Sequence, residues 1–154
     1  MACSGKAPSN GPADPNRLVA KVRRPDSANV SFALPATAQR CPELPGTILL
    51  EAASEQGYGL VALLKGADSL MPVLAHDDSL APRGARVATR YMIRDMAHAF
   101  AADSGSVKVT RGRGDSISAA LYGSGLDGGV RAVIDARFTG LPVTSDTATC
   151  KRPS

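Results

Sequence analysis

Tryptophan is absent from this 154-residue chain, and the other aromatics amount to three Tyr and three Phe. Binders of single-stranded nucleic acid stack bases on exposed rings, so this scarcity argues against a nucleic-acid partner. No apolar run approaches the ~20 residues that a membrane-crossing helix needs. A hydrolytic serine has no Gly-x-Ser-x-Gly elbow to sit on, since Tyr122-Gly123-Ser124-Gly125 carries only half of one. Neither a Gly-x-Gly-x-x-Gly fingerprint nor a Gly-Lys-Ser/Thr phosphate loop occurs. Internal repeats and strand–helix alternation are missing as well. The expectation is a chain that is not an enzyme and carries no cofactor.

What is present is alternation. From Ser106 to Gly140 three runs place apolar residues at every second position, separated by Gly-rich turns. Val107 and Val109 form the first set, Ile117, Ala119 and Leu121 the second, and Val130, Ala132, Ile134, Ala136 and Phe138 the third. Period 2 sends alternate side chains to opposite faces, so this stretch predicts a three-stranded antiparallel meander with one buried face.

Upstream, Leu18, Ala20 and Val22 alternate within 17–24, and Val30, Phe32 and Leu34 alternate up to Pro35. Segment 35–46 holds Pro35, Pro42 and Pro45 and reads as irregular. The apolar runs 47–53 and 58–65 predict a hairpin buried on both sides. Pro72 demotes 69–75 to an edge strand. Val87, Thr89, Tyr91 and Ile93 read as a strand, and beyond Asp95 the Met96/Phe100 spacing favours a short helix. The sum is a mainly all-β fold, an antiparallel β-sandwich or barrel of about eight short strands, with one short helix near 95–102. Residues 1–16, rich in Pro and Gly, form a flexible tether; 17–150 form a single β-domain; 151–154 are a tail.

The three cysteines, Cys3, Cys41 and Cys150, match no zinc pattern. Cys41 opens the domain and Cys150 closes it, which suggests a disulfide between its two ends. Such a bridge would remove on the order of 4–5 kcal/mol of unfolded-state entropy and would persist only in an oxidising compartment. The remaining cysteine sits in Ala2-Cys3-Ser4-Gly5, a small residue followed by Cys, as at the end of a bacterial lipoprotein signal. With Asp103-Ser104-Gly105-Ser106-Val107, the meander, Phe138-x-Gly140 and a late Cys150, the chain resembles uncharacterised exported bacterial lipoproteins with β-rich bodies. That resemblance implies lipidation at Cys3, membrane attachment through it, and an address in the bacterial cell envelope, periplasmic or at the surface. The role it implies is binding or structural, with no chemistry.

Three surface motifs complete the reading. Arg113-Gly114-Asp115 falls at the predicted tip of the first meander hairpin, where integrin ligands present the same tripeptide; the bland alternative is an ordinary Gly/Asp turn. His76-Asp77-Asp78, with His98, supplies an imidazole and two carboxylates suited to a divalent cation, which would make a small metal-dependent enzyme the rival reading; a solvated acidic turn is favoured over it. Arg131 and Arg137 share the outward face of the third meander strand, a basic surface able to meet anionic groups or simply to keep that face soluble. The formal charge of +4 permits the former without requiring it.

Overall fold

The computed structural model describes residues 15–42, 46–66, 70–75 and 83–145. Its strands run in chain order as β1 (Arg17–Arg23), β2 (Val30–Pro35), β3 (Thr37–Arg40), β4 (Thr47–Ala53), β5 (Gly59–Lys65), β6 (Leu70–Pro72), β7 (Gly84–Ile93), β8 (Met96–Ala101), β9 (Ser104–Arg111), β10 (Ser116–Asp127) and β11 (Val130–Thr144). The meander is there as its alternation requires. β9 pairs β10 and β10 pairs β11, both antiparallel, and the apolar set from Val107 to Phe138 points inward, Val130 at the strand end being only part-buried. Gly128 and Gly129 make the second turn, both at positive φ, the backbone a two-residue hairpin needs to match strand twist.

β11 organises the rest. Its first part lies between β10 and β1, with Phe138 registered against Leu18 on one side and Ala119 on the other. At Gly140 (φ 56°) the strand bends, the ladder with β10 slips, and the Ser118 hydroxyl accepts the freed Gly140 N–H at 2.9 Å. Beyond the bend Val143 and Thr144 pair parallel to Ala38 and Gln39 of β3. The sheet path is β6-β9-β10-β11-β3-β4-β5-β7-β8, with β1 and β2 branching from β11. The two halves share one apolar core, to which Leu18, Leu50, Leu60, Leu64, Met71 and Phe138 contribute fully buried side chains. Each such side chain stabilises by roughly 1.5–3 kcal/mol relative to exposure.

Several expectations are corrected here. Among the described residues the fold is a mixed sheet of eleven strands, folded on itself through β11; neither an eight-stranded sandwich nor a barrel describes it. The end strands β6 and β8 do not pair, so the sheet is not closed. Among the described residues there is no helix. The segment near 95–102 is β8, which pairs along β7 through a two-residue Arg94-Asp95 turn. Met96 and Phe100 do share a face, but as alternate strand residues: Phe100 is buried whereas Met96 is 68% exposed. A helical pair would have buried both, and the ladder to β7 outweighs the weak helix preference of Ala and Met. The β4–β5 hairpin buries one face, with Glu51 and Val61 turned out. Segment 35–46 contains β3, invisible by period because only Ala38 of its four residues is buried.

The Cys41–Cys150 expectation is corrected to a narrower statement. No sulfur–sulfur contact joins two described residues, because Cys41 is the one cysteine among them. It is buried at the end of β3 and engaged in a disulfide, while Cys3 and Cys150 lie outside the described residues.

Candidate functional site

The polar residues that the fold gathers most tightly come from four places in the chain. Arg24 follows β1, Tyr91 lies on β7, His98 is its cross-strand partner on β8, and Asp127 ends β10 beside the Gly-Gly turn. All meet at Asp127 Oδ2. It accepts from Arg24 Nη1 at 2.5 Å and from the Tyr91 hydroxyl at 2.5 Å, and it lies 3.0 Å from His98 Nδ1. Arg24 Nη1 also donates to the Tyr91 oxygen at 3.2 Å, and the rest of its guanidinium grips Asp26 bidentately at 2.8 Å. Arg24 is 7% exposed, Asp127 10% and His98 21%. The imidazole stacks on Tyr91 (centroids 5.4 Å, 21°), and Phe100 closes the far edge of that ring.

These contacts determine where the protons are. A guanidinium only donates, and a carboxylate only accepts. Tyr91 receives Arg24 and so turns its own hydrogen toward Asp127. His98 therefore donates through Nδ1–H, which in the neutral ring leaves Nε2 as an acceptor. Asp26 is held below the usual carboxyl range by its hydrogen bond from Arg24, and that same bond ranks first in keeping Arg24 protonated. Burial first, and the bond to Asp127 second, push the Tyr91 hydroxyl up to about 12.

The Tyr91 shift has a measurable consequence. A folded-state value above the unfolded ~10 contributes stability that is complete below pH ~10 and is lost as pH rises toward ~12. That contribution is about 2–3 kcal/mol. Urea unfolding across this alkaline range should show the loss, and Tyr91→Phe should flatten the slope; equal slopes in both proteins would refute the assignment.

Over this cluster opens a cleft of about 580 Å³. Val30, Met92, Ile93 and Met96 supply its apolar lining, and Arg24, Asp26, Ser27, Asn29, Arg94 and His98 its polar lining. Arg94 holds φ at 56°, a left-handed backbone uncommon for any residue other than Gly. The arrangement can take an apolar body and offer it polar partners, an imidazole nitrogen among them.

The residues singled out from sequence fare differently. His98 is engaged by Asp127, and His76, Asp77 and Asp78 lie outside the described residues. Among the described residues no three His, Cys, Asp or Glu side chains are placed to hold a metal ion. Arg113-Gly114-Asp115 does form the β9–β10 tip, but Asp115 does not splay outward. Arg40 of β3 clamps it bidentately at 2.7 and 2.9 Å, and this hydrogen bond is the main cause holding the Asp115 carboxyl below its ordinary range. Both partners are solvent-exposed, so Arg40→Ala should leave the thermal midpoint unchanged; a drop of several degrees would show the clamp to be structural. Arg131 is likewise clamped, to Asp103 at 2.8 and 3.1 Å, while Arg137 makes no ion pair among the described residues.

Arg24, Tyr91 and Asp127 escape sequence reading because they stand 36 to 103 positions apart. The one available signal was Tyr91 in a buried register, where a phenol needs a partner. No family model, no curated protein and no solved structure matches this chain.

Proposed function

We propose that the chain is a binding module without chemistry of its own, and that its ligand is an apolar molecule carrying a hydrogen-bond donor. The cleft beside His98 carries this reading: aliphatic and thioether side chains make part of its wall, and in the neutral His98 ring the Nδ1–Asp127 bond leaves Nε2 as an acceptor. Such a combination, apolar side chains with a few convergent polar groups, is how small-molecule sites fix a ligand. Fixing the ring by a buried carboxylate removes the rotamer entropy that binding would otherwise cost.

Anilinonaphthalene sulfonate, an anionic probe with an apolar aromatic body and an N–H donor, tests the pocket. Its fluorescence should rise saturably with the folded protein, and Met96→Glu, an exposed change, should abolish the rise without altering the thermal midpoint. No enhancement with the native protein, or enhancement indifferent to Met96→Glu, would refute the site.

The module is further proposed to work in a bacterial envelope, attached through lipid on Cys3; Ala2-Cys3-Ser4-Gly5 supports that address. Expressed in a bacterium behind the genomic sequence that precedes it, the protein should carry a lipid mass on Cys3 and become soluble as Cys3→Ala. An unmodified Cys3 in that setting would overturn the tether and leave the cleft untouched.

A further inference from the structure

On the outer face of the sheet, away from the cleft, one row of register partners crosses five strands. It runs Val19 on β1, Arg137 on β11, Ala120 on β10, Lys108 on β9 and Leu70 on β6. At ~4.8 Å per strand the row is about 19 Å long. Its centre is the small Ala120, so the taller side chains on either side frame a trough of about 720 Å³. Val19 and Leu70 stand at the two ends, each 56% exposed, and the ring of Tyr122 borders the trough from the next row.

The charges in this trough that form no ion pair among the described residues are of one sign. Lys108 and Arg137, separated by one strand and hence by about 10 Å, form no ion pair among the described residues, nor does Lys21 beside them. The one acid there, Asp135, is already bridged to Arg23 at 2.7 Å. A line of spaced cations asks for a line of spaced anions.

We infer that this trough binds a linear carboxylated glycan. The backbones of β1, β11, β10 and β9 are paired on both sides, so along these four strands a peptide could not add by main-chain hydrogen bonds. A planar bilayer would not reach the floor at Ala120. A single-stranded nucleic acid needs several rings to stack on, and Tyr122 stands alone. A sugar chain uses what is present: carboxylates for Lys108 and Arg137, a ring face for Tyr122, and hydroxyls for Ser106 and Ser31, which line the same trough.

Titration calorimetry with oligogalacturonate tests it on the whole protein. Binding is expected, weakening as salt is raised, and no heat is expected with a neutral oligosaccharide of the same length. Lys108→Glu combined with Arg137→Glu should weaken binding at least tenfold. Ala120→Gln fills the floor without touching charge and should weaken it as much, which separates a shaped site from a diffuse basic surface. Tyr122→Ala should lower affinity several-fold. Thermal midpoints of all variants should stay close to the parent's, since every altered side chain lies on the outer face of the sheet and none belongs to the core. Absence of oligogalacturonate binding, indifference to Ala120→Gln, or equal binding of an acidic peptide or of anionic vesicles would overturn the inference.

Discussion

Asp127→Ala is expected to lower unfolding free energy by about 3 kcal/mol, at the low end of what breaking a buried ion pair costs. The loss is not that of one contact. Removing the carboxylate strands an Arg24 guanidinium that is 7% exposed, together with the Tyr91 hydroxyl and the His98 Nδ1–H. Asp26 keeps its hold on Arg24, which is why the figure is not larger. Asp127→Asn retains an acceptor and a similar shape, so about half of the loss should return. Replacing Arg24 and Asp127 together by Leu should cost less than the Asp127 change alone, because no buried charge is then left over. Urea unfolding with unchanged slope measures all three variants against the parent. A double variant less stable than Asp127→Ala would show that the cluster is not a unit.

Gly105→Ala should be comparably damaging for a different reason. Gly105 pairs with Gly123 in the β9–β10 ladder and holds φ at 135°. An added Cβ would run into the Tyr122 carbonyl oxygen and approach the Gly123 Cα at 2.9 Å. Both obstacles are backbone fixed by pairing on two sides, so they cannot swing away as a side chain can. About 3 kcal/mol is expected, the sum of a left-handed backbone penalty and a packing clash. Gly114→Ala separates the two terms. It also has positive φ, 62°, but nothing lies within 4 Å of its would-be Cβ, so only the backbone term of about 1–2 kcal/mol applies. Equal losses at the two glycines would mean that the close approach at Gly105 contributes nothing.

The sequence was legible where one face of a strand is buried and the other wet. The meander, β1 and β7 all obey that condition, and their inward residues are those named by alternation. Reading failed where the condition failed. β3 has one buried side chain, so no period exists to detect; β8 is an edge strand of Ala, His, Met and Phe whose spacing satisfies two periods at once. Pairing decided both, and pairing partners come from elsewhere in the chain. The candidate site was less legible still. Its four members are each unremarkable locally: an Arg before Pro25, a Tyr and a His within strands, an Asp before a Gly-Gly turn. Only the return of β7, β8 and β10 to one end of the core makes them neighbours. The Arg113-Gly114-Asp115 tip shows the converse, a motif placed as expected whose carboxylate is taken by a residue 75 positions away.

The assignment on which the ligand reading turns is the proton on the His98 ring. Long-range proton–nitrogen correlation spectra, assigned by comparison with His98→Gln, read it directly in the neutral imidazole. The account requires Nδ1 to carry the hydrogen and Nε2 to be bare, with that preference weakened in Asp127→Asn. A hydrogen on Nε2, or a His98 signal indifferent to Asp127→Asn, would contradict it.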